Sequence, residues 1–147
     1  MLFFIVIEMT VITRTISVGS NGENDMIDIT PQIDEVIKET NLQDGIVAVF
    51  VSGSTAAVTT MEYEPGLKKD FPKMLARIAP REIEYEHDNT WHDGNGHSHV
   101  RASLIGSSLT VPFKNKGLML GTWQQIVLLE MDIRPRKRKI ILQMIGE

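Results

Sequence analysis

The fold is decided by a short apolar stretch in the first half of the chain, Gly45-Ile-Val-Ala-Val-Phe-Val51. A continuous apolar run of this length, bounded by turn residues, is typical of a β-strand buried on both faces. Residues 52–55, Ser-Gly-Ser-Thr, predict a turn after it. Ala56–Met61 predicts the next strand. Two consecutive strands are therefore expected over residues 45–61.

Two helical patterns flank this pair of strands. Upstream, Thr30 is the expected N-cap and Pro31 suits the first helical position. Downstream, residues 65–79 carry apolar side chains at helical spacing, with Pro72 dividing the helix or starting a fresh turn. One helix is thus expected before the central strands and one after them.

The rest of the chain is rich in strand patterns. Residues 3–18 predict the first strand. Three further strands are expected at residues 99–113, 117–131 and 137–145, the first two joined by a hairpin. Residues 80–98 are polar and predict a long ordered loop. Together these patterns predict one domain over residues 1–147, of the α+β class, with mostly antiparallel strands and two helices.

Composition excludes several kinds of site. The sequence has no cysteine, which excludes disulfides, thiolate zinc sites and cysteine nucleophiles and fits the reducing cytoplasm where we expect the protein. Its net charge of −4 gives no general attraction to nucleic acid. The one basic run, Arg134-Pro-Arg-Lys-Arg-Lys139, has no interleaved aromatic residues. We therefore expect a solvated turn there and no nucleic-acid partner.

The first residues form the one candidate targeting segment. The apolar run over residues 2–7 is far shorter than the roughly 20 residues that span a bilayer, and it lacks a basic leader. No membrane partner is expected. Residues 1–8 either extend the first strand or reflect an early start codon, with Met9 as the alternative start.

All four histidines fall in one segment, His87-Asp-Asn-Thr-Trp-His-Asp-Gly-Asn-Gly-His-Ser-His99. If its end is extended, His97 and His99 share a strand face and can bind one ion, because side chains of a strand repeat every two residues. Neutral imidazoles suit Zn²⁺, Ni²⁺, Cu²⁺ or Fe²⁺ better than Mg²⁺. Asp88 and Asp93 are available as ligands or as groups that orient a histidine.

The histidine segment allows two other interpretations. Histidine titrates near neutral pH, so general acid–base catalysis is a separate hypothesis. The histidines could also make unrelated structural hydrogen bonds in a polar loop. Their clustering therefore indicates a site without choosing its reaction.

Two segments are candidates for holding a phosphate. Gly94 and Gly96 belong to a turn with exposed backbone N–H groups, and Arg101 would share the face of the expected strand. Ser52 and Ser54, after the buried strand, are a second candidate. In both cases the alternative is an ordinary turn.

Three polar or aromatic residues are further candidates. Glu62 follows a predicted strand and could act as a ligand or base, although such glutamates are commonly just solvated. Gln124 falls inside a predicted apolar strand, where an amide without partners costs about 1–3 kcal/mol, so it is expected to line a polar site. Trp123 could stack on a flat ring or pack in the core.

Several of these segments resemble the signature of one known family. The resemblance lies in residues 85–104, 120–125, 134–136 and 143–147. It is to the YjbQ-like family, also called the secondary thiamine-phosphate synthase family. It runs from about Met9 to the last residue and leaves residues 1–8 outside the pattern.

The resemblance implies a β-rich α+β domain that assembles as a homotrimer. It implies a bound divalent metal, with zinc expected first, near the subunit contacts. The expected ligands, in order of preference, are His87 and His99, then His97, then His92. Asp93 lies between the two leading histidines, Glu62 matches an acidic position of the family, and Arg101 matches a basic one.

The activity implied by the resemblance joins a hydroxymethylpyrimidine diphosphate to a thiazole phosphate and releases pyrophosphate. A cation and Arg101 would stabilise the departing charge. Diphosphate chemistry usually employs Mg²⁺ held by carboxylates, whereas this segment offers imidazoles, so the activity is expected to be accessory. A metal-dependent hydrolase of phosphate or ester substrates and a non-catalytic metal- or metabolite-binding trimer are the alternatives.

Overall fold

A computed structural model describes residues 8–147. The elements in chain order are β1 (Thr10–Gly19), β2 (Met26–Asp28), α1 (Thr30–Glu39), β3 (Gly45–Ser52), β4 (Ala56–Met61), α2 (Pro65–Ile78), α3 (Glu86–Trp91), α4 (Gly96–Ile105), β5 (Ser108–Lys114), β6 (Gly117–Leu118), β7 (Gln125–Glu130) and β8 (Lys137–Gly146). In this part of the chain, no helix is long and apolar enough to cross a membrane.

The strands form two antiparallel sheets. One has five strands in the order β1-β8-β3-β5-β6, and the other has three in the order β2-β7-β4. Between them lies the main core, in which Val47 and Val49 of β3 pack with Ile126 and Leu128 of β7. The α+β class and the antiparallel pairing predicted from the sequence are confirmed.

A layer of helices covers the other face of the three-stranded sheet. Leu75 of α2 and Ala102 of α4 pack there against Val127 and Leu129. The resulting order of layers is five-stranded sheet, three-stranded sheet, helices. Since α4 lies on β4, one helix is held directly beside the β3–β4 turn.

No element of the described part of the chain covers the outer face of the five-stranded sheet. On β3 the side chains alternate, with Val47 and Val49 buried while Ile46 and Phe50 are 44% and 41% exposed. The expectation that β3 is buried on both faces is therefore wrong. Alternation, rather than full burial, is what a strand shows when only one of its faces is covered.

The two expected helices are confirmed as α1 and α2. The backbone N–H of Thr30 donates to Asp28 Oδ1 at 2.9 Å, and α1 starts at Thr30 instead of after it. The helix α2 continues through Pro72 without a break. Strand β8 is confirmed, and β1 begins at Thr10. The predicted part of that strand over residues 3–7 lies outside the described residues.

Three expectations about the second half of the chain are wrong. The expected loop over residues 80–98 contains α3, and the expected strand over 99–113 is α4 followed by the shorter β5. The expected strand over 117–131 is interrupted, so that Gln124 falls in a turn before β7. The buried side of α4 includes His97 and Arg101. Because these buried residues are polar, the segment lacks the apolar periodicity that indicates a helix.

Candidate functional site

His87 on α3 and His99 on α4 are brought together by a tight turn. Their ring centroids are 4.2 Å apart, with 43° between the planes. His92 ends α3 in the left-handed conformation at φ 55°, and Gly94 follows at φ 68°. These two residues reverse the chain, so that α4 returns beside α3. The two histidines that the family resemblance ranked first are thus the ones in contact.

Asp93 and Asn95 complete the polar surroundings of His87. Asp93 Oδ1 lies 3.6 Å from His87 Nε2. Asn95, with its amide nitrogen turned toward these groups, donates to Asp93 Oδ1 at 2.9 Å and approaches His87 Nε2 at 3.2 Å. Asn95 was not among the expected site residues, although it lies inside the histidine segment. Its buried amide fixes the carboxylate beside the imidazole.

The surroundings of His99 favour its neutral form. Burial lowers the pKa of His99 below the ordinary value of 6.5, and the neighbouring His87 lowers it further. Asp93 and Asp132 act in the opposite direction but do not reverse the shift. A neutral imidazole at neutral pH is the form that a metal ligand or a general base requires.

We expect His99 to titrate below pH 6.5 in an NMR titration of the histidine side chains. Because the unfolded chain binds this proton more readily, the free energy of unfolding should decrease as pH falls from about 6.5 toward the lowered pKa. His87→Gln should raise the midpoint of His99, whereas His92→Asn serves as the control. A midpoint above 6.5 in the unaltered protein would contradict this assignment.

His97 and Arg101 lie on the other side of α4. His97 Nε2 is 2.9 Å from Glu23 Oε1, Arg101 Nη1 donates to the same oxygen at 2.8 Å, and Arg101 Nε donates to Ala79 O at 2.9 Å. Both side chains are nearly inaccessible. The expectation that they share a face with His99 is wrong, since residues two apart on a helix point in nearly opposite directions. In this chain they join α4 to the β1–β2 loop.

The glycines of the histidine segment serve packing rather than an anion. Gly96 N donates to Asp88 Oδ1 at 2.9 Å, so this N–H is not free to bind a phosphate. A Cβ added to Gly96 would lie 2.5 Å from Tyr85 Cβ. The expected cradle at Gly94 and Gly96 is therefore wrong at Gly96, where close contact between α3 and α4 requires the glycine.

Gly96→Ala should lower the free energy of unfolding by about 1–3 kcal/mol, the usual cost of overpacking. The added methyl group must displace the Tyr85 side chain and separate α3 from α4. Urea unfolding followed by circular dichroism measures the effect. Gly117→Ala is the control, because its Cβ would meet only Lys114 O at 3.5 Å. Equal stability of the two variants would show that the helices tolerate the methyl group.

A cavity of about 390 Å³ opens beside the histidine pair. Its walls come from the β3–β4 turn, α4 and the segment after α4, through Gly53, Ser54, Ala56, His99, Ala102, Ser103, Gly106 and Ser107. Ser54, expected to contact a phosphate, is in this wall, whereas Ser52 is not. The volume is in the range of small-molecule sites. Ser103 and Ser107 were missed because their positions depend on α4.

A buried ionic network lies behind the β3–β4 turn. Arg138 Nε donates to Glu130 Oε2 at 2.7 Å, and Arg138 Nη2 donates to Thr55 Oγ1 at 2.8 Å. Burial alone would raise the pKa of Asp132, but hydrogen bonds from Arg136, the Arg134 backbone and Thr55 lower it. The expectation of a merely solvated basic turn is therefore wrong for Arg138, which is 7% exposed.

The remaining candidates lie away from the histidines. Glu62 follows the last residue of β4, the opposite end from the Ala56 that lines the cavity. Gln124 donates to Thr60 Oγ1 at 3.1 Å and lines a separate cavity of about 330 Å³. Trp123 is 71% exposed, so it is not packed in the core of this chain. None of the three joins the histidine pair within one chain.

The donor groups of the site are too few to hold a metal ion by themselves. Among residues 8–147, no three histidine, aspartate or glutamate side chains are grouped so as to hold one ion. His87 and His99 nevertheless offer two adjacent imidazoles, with Asp93 beside the first. Any metal bound here would need further ligands from water, substrate or another subunit.

Sequence similarity to known proteins extends over nearly the whole chain. The family model described as UPF0047 protein YjbQ-like matches residues 14–147. A UPF0047 protein of Methanocaldococcus jannaschii is 34% identical over 131 residues, which cover 88% of this chain and 91% of that protein. The UPF0047 protein YugU of Bacillus subtilis is 32% identical over 135 residues, covering 90% and 98%.

Crystal structures of similar proteins have the same fold. A YbjQ-like protein of Sulfolobus solfataricus superposes with a TM-score of 0.87 at 30% identity, covering 95% of this chain and 100% of that one. A YjbQ/UPF0047 protein of Clostridium acetobutylicum gives 0.80 at 32% identity, covering 89% and 98%. The names of these relatives state no reaction, so a reaction has to be argued from the site.

Proposed function

This chain belongs to the YjbQ-like UPF0047 family, and we propose that its paired histidines catalyse group transfer on a phosphorylated small molecule. The observation that carries the proposal is the contact of His87 with His99, whose centroids are 4.2 Å apart, where His99 forms part of the wall of a 390 Å³ cavity. The transfer is of the thiamine-phosphate synthase type and is an accessory activity.

In this reaction a thiazole nitrogen attacks the exocyclic carbon of a pyrimidine diphosphate. The new C–N bond forms as the C–O bond breaks, and its electron pair leaves with pyrophosphate. The protein must therefore hold two phosphorylated molecules and stabilise the departing charge. The hydroxyls of Ser54, Ser103 and Ser107 supply donors along the cavity wall, and a neutral His99 supplies an N–H or accepts a proton.

We also propose a divalent metal, zinc first, with His87 and His99 as its ligands from this chain. Neutral imidazoles are typical zinc ligands, and Asp93 and Asn95 orient the first of them. The ion would neutralise negative charge on a substrate phosphate when bound. Arg101, expected from the resemblance to share this task, is bound to Glu23 on the other side of α4.

A homotrimer would cover the open face of the five-stranded sheet. Val11, Ile145 and Ile46 lie side by side in one row across β1, β8 and β3, and their side chains are 58%, 37% and 44% exposed. Exposed apolar patches of this kind usually mark contact surfaces. Multi-angle light scattering should give three chains per particle, and Ile46→Glu should lower that mass. A monomeric mass for the unaltered protein would contradict the trimer.

The proposed setting is the cytoplasm, with phosphorylated metabolites as partners. The sequence has no cysteine that an oxidising compartment could pair. Nucleic acid is not proposed as a partner, because Arg136 and Arg138 of the basic run bind Asp132 and Glu130.

Complementation of a strain that lacks thiamine-phosphate synthase tests the proposed reaction. The unaltered chain should restore growth without thiamine, and His87→Ala or His99→Ala should abolish it while the protein still accumulates. Turnover of phosphate esters that stops with a chelator would assign a hydrolase instead. Stoichiometric metal with no turnover would assign a binding protein.

A further inference from the structure

We propose that Arg138 and the β3–β4 turn form an anion subsite that holds the phosphate or diphosphate group of the substrate. The turn consists of residues 53–55, between β3 and β4. The inference takes its substrate from the proposed function, but the binding of an anion can be measured without any turnover.

Arg138 has one terminal nitrogen without a partner. The side chain is held by Nε and Nη2, which donate to Glu130, Thr55 Oγ1 and Thr55 O. Nη1 donates to no acceptor within residues 8–147. Among these residues, every fully enclosed side-chain nitrogen or oxygen except Ser98 Oγ has a hydrogen-bond partner. Because Nη1 of Arg138 has no partner, it is not fully enclosed and retains access to solvent. A guanidinium that is 7% exposed thus keeps two N–H donors unused.

Gly53 determines where this nitrogen is accessible. A Cβ added to Gly53 would lie 2.9 Å from Arg138 Nη1, so any side chain at this position would cover the nitrogen. Gly53 and Ser54 line the same cavity as His99. Arg138 therefore lies directly behind the part of the cavity wall that has no side chain.

This wall carries hydrogen-bond donors that no group of the described residues uses. Within residues 8–147, the backbone N–H groups of Gly53 and Ser54 have no acceptor, and neither does the Ser54 hydroxyl. Together with Nη1 of Arg138, which a Cβ on Gly53 would approach to 2.9 Å, they offer N–H and O–H groups from the turn and from β8. Backbone N–H groups and a guanidinium in one place are suited to a phosphate oxygen.

The charges around Arg138 favour directed hydrogen bonds over general attraction. Glu130 pairs with Arg138, and Asp132 pairs with Arg136, so the two cations and two carboxylates balance. Glu130 also holds the guanidinium in one orientation. We therefore expect selectivity for phosphate-type oxyanions over chloride, with the heterocycle of the substrate toward His99 at the other wall.

Titration of the full-length protein with inorganic pyrophosphate, followed by amide and arginine side-chain NMR signals, tests the subsite. Shifts should concentrate at Gly53, Ser54 and Arg138. Arg138→Gln and Gly53→Ala should each weaken binding about tenfold or more, since each removes or covers a charge-assisted donor. Gly19→Ala is the control and should bind within about twofold of the unaltered protein, because its Cβ would meet no atom within 4 Å.

Unchanged affinity in Gly53→Ala, or shifts confined to the exposed Lys137 and Lys139, would overturn the subsite. If Arg138→Gln does not fold, Gly53→Ala decides, because it retains both charges of the Arg138–Glu130 ion pair. If the unaltered protein binds pyrophosphate at the turn but shows no turnover, the proposed reaction is rejected and the subsite is retained. No binding of pyrophosphate to a folded, active protein would reject the subsite alone.

Discussion

Replacing His99 with alanine should lower kcat/KM by about 100-fold or more. Groups that transfer a proton or stabilise a leaving group at the reacting atoms typically contribute about 10²–10⁴-fold to rate. His99 is the histidine that lines the cavity, and its lowered pKa keeps it neutral at neutral pH. Pyrophosphate release from the pyrimidine diphosphate, measured with the thiazole phosphate present, quantifies the loss.

His92→Asn is the matched control for this variant. His92 is exposed and ends α3 in the left-handed conformation, which asparagine adopts more readily than alanine. Its kcat/KM should stay within about twofold of that of the unaltered protein. If His99→Ala retained activity within threefold, His99 would not act at the reacting atoms.

Glu130→Ala should lower the free energy of unfolding by about 3–5 kcal/mol. Removing one partner of a buried ion pair leaves the other charge without compensation. Glu130 is inaccessible and accepts hydrogen bonds from Arg138, from Ser20 Oγ at 2.7 Å and from the backbone of Asp132 at 2.9 Å. Urea unfolding followed by circular dichroism gives the difference directly.

An exposed ion pair provides the comparison for Glu130. Asp34→Ala removes the partner of Lys38, whose side chain is 61% exposed, and should change the free energy of unfolding by about 0–1 kcal/mol. If Glu130→Ala changed the free energy of unfolding by less than about 1 kcal/mol, water would have replaced the carboxylate. The network around Arg138 would then be open to solvent.

The antiparallel strands could be predicted, but helices α3 and α4 could not. Strand β8 alternates exposed and buried residues along its length, and such alternation is what a strand pattern detects. Helix α4 buries His97, Ser98 and Arg101. Apolar periodicity detects a helix from apolar residues that repeat along its buried side. A helix that buries polar residues lacks this signal.

The exposed face of β3 could not be predicted for a different reason. Ile46 and Phe50 are apolar like their buried neighbours, and they remain exposed because no element within residues 8–147 covers them. A sequence pattern cannot distinguish a face covered within one chain from a face covered by another subunit. The sequence pattern therefore predicted burial for two residues that are exposed in the single chain.

The histidine segment was predictable from the sequence, but the arginine of the proposed subsite was not. Clustering indicated a site among the four histidines, and the family resemblance ranked His87 and His99 first. The turn between α3 and α4 is what brings these two together. Arg101 was chosen for its closeness to His99 in the sequence, but it binds Glu23. Arg138 lies on β8, far along the chain, and only the pairing of β8 with β3 places it behind the β3–β4 turn.

A double-mutant cycle on His87 and His99 tests the central claim most directly. The kcat/KM for pyrophosphate release would be measured for the unaltered protein, His87→Ala, His99→Ala and the double variant. Residues that act as one unit give strongly non-additive losses. We predict that the double variant loses little more than either single variant. Losses that multiply, or single variants that retain full activity, would contradict the claim that the two histidines form one site.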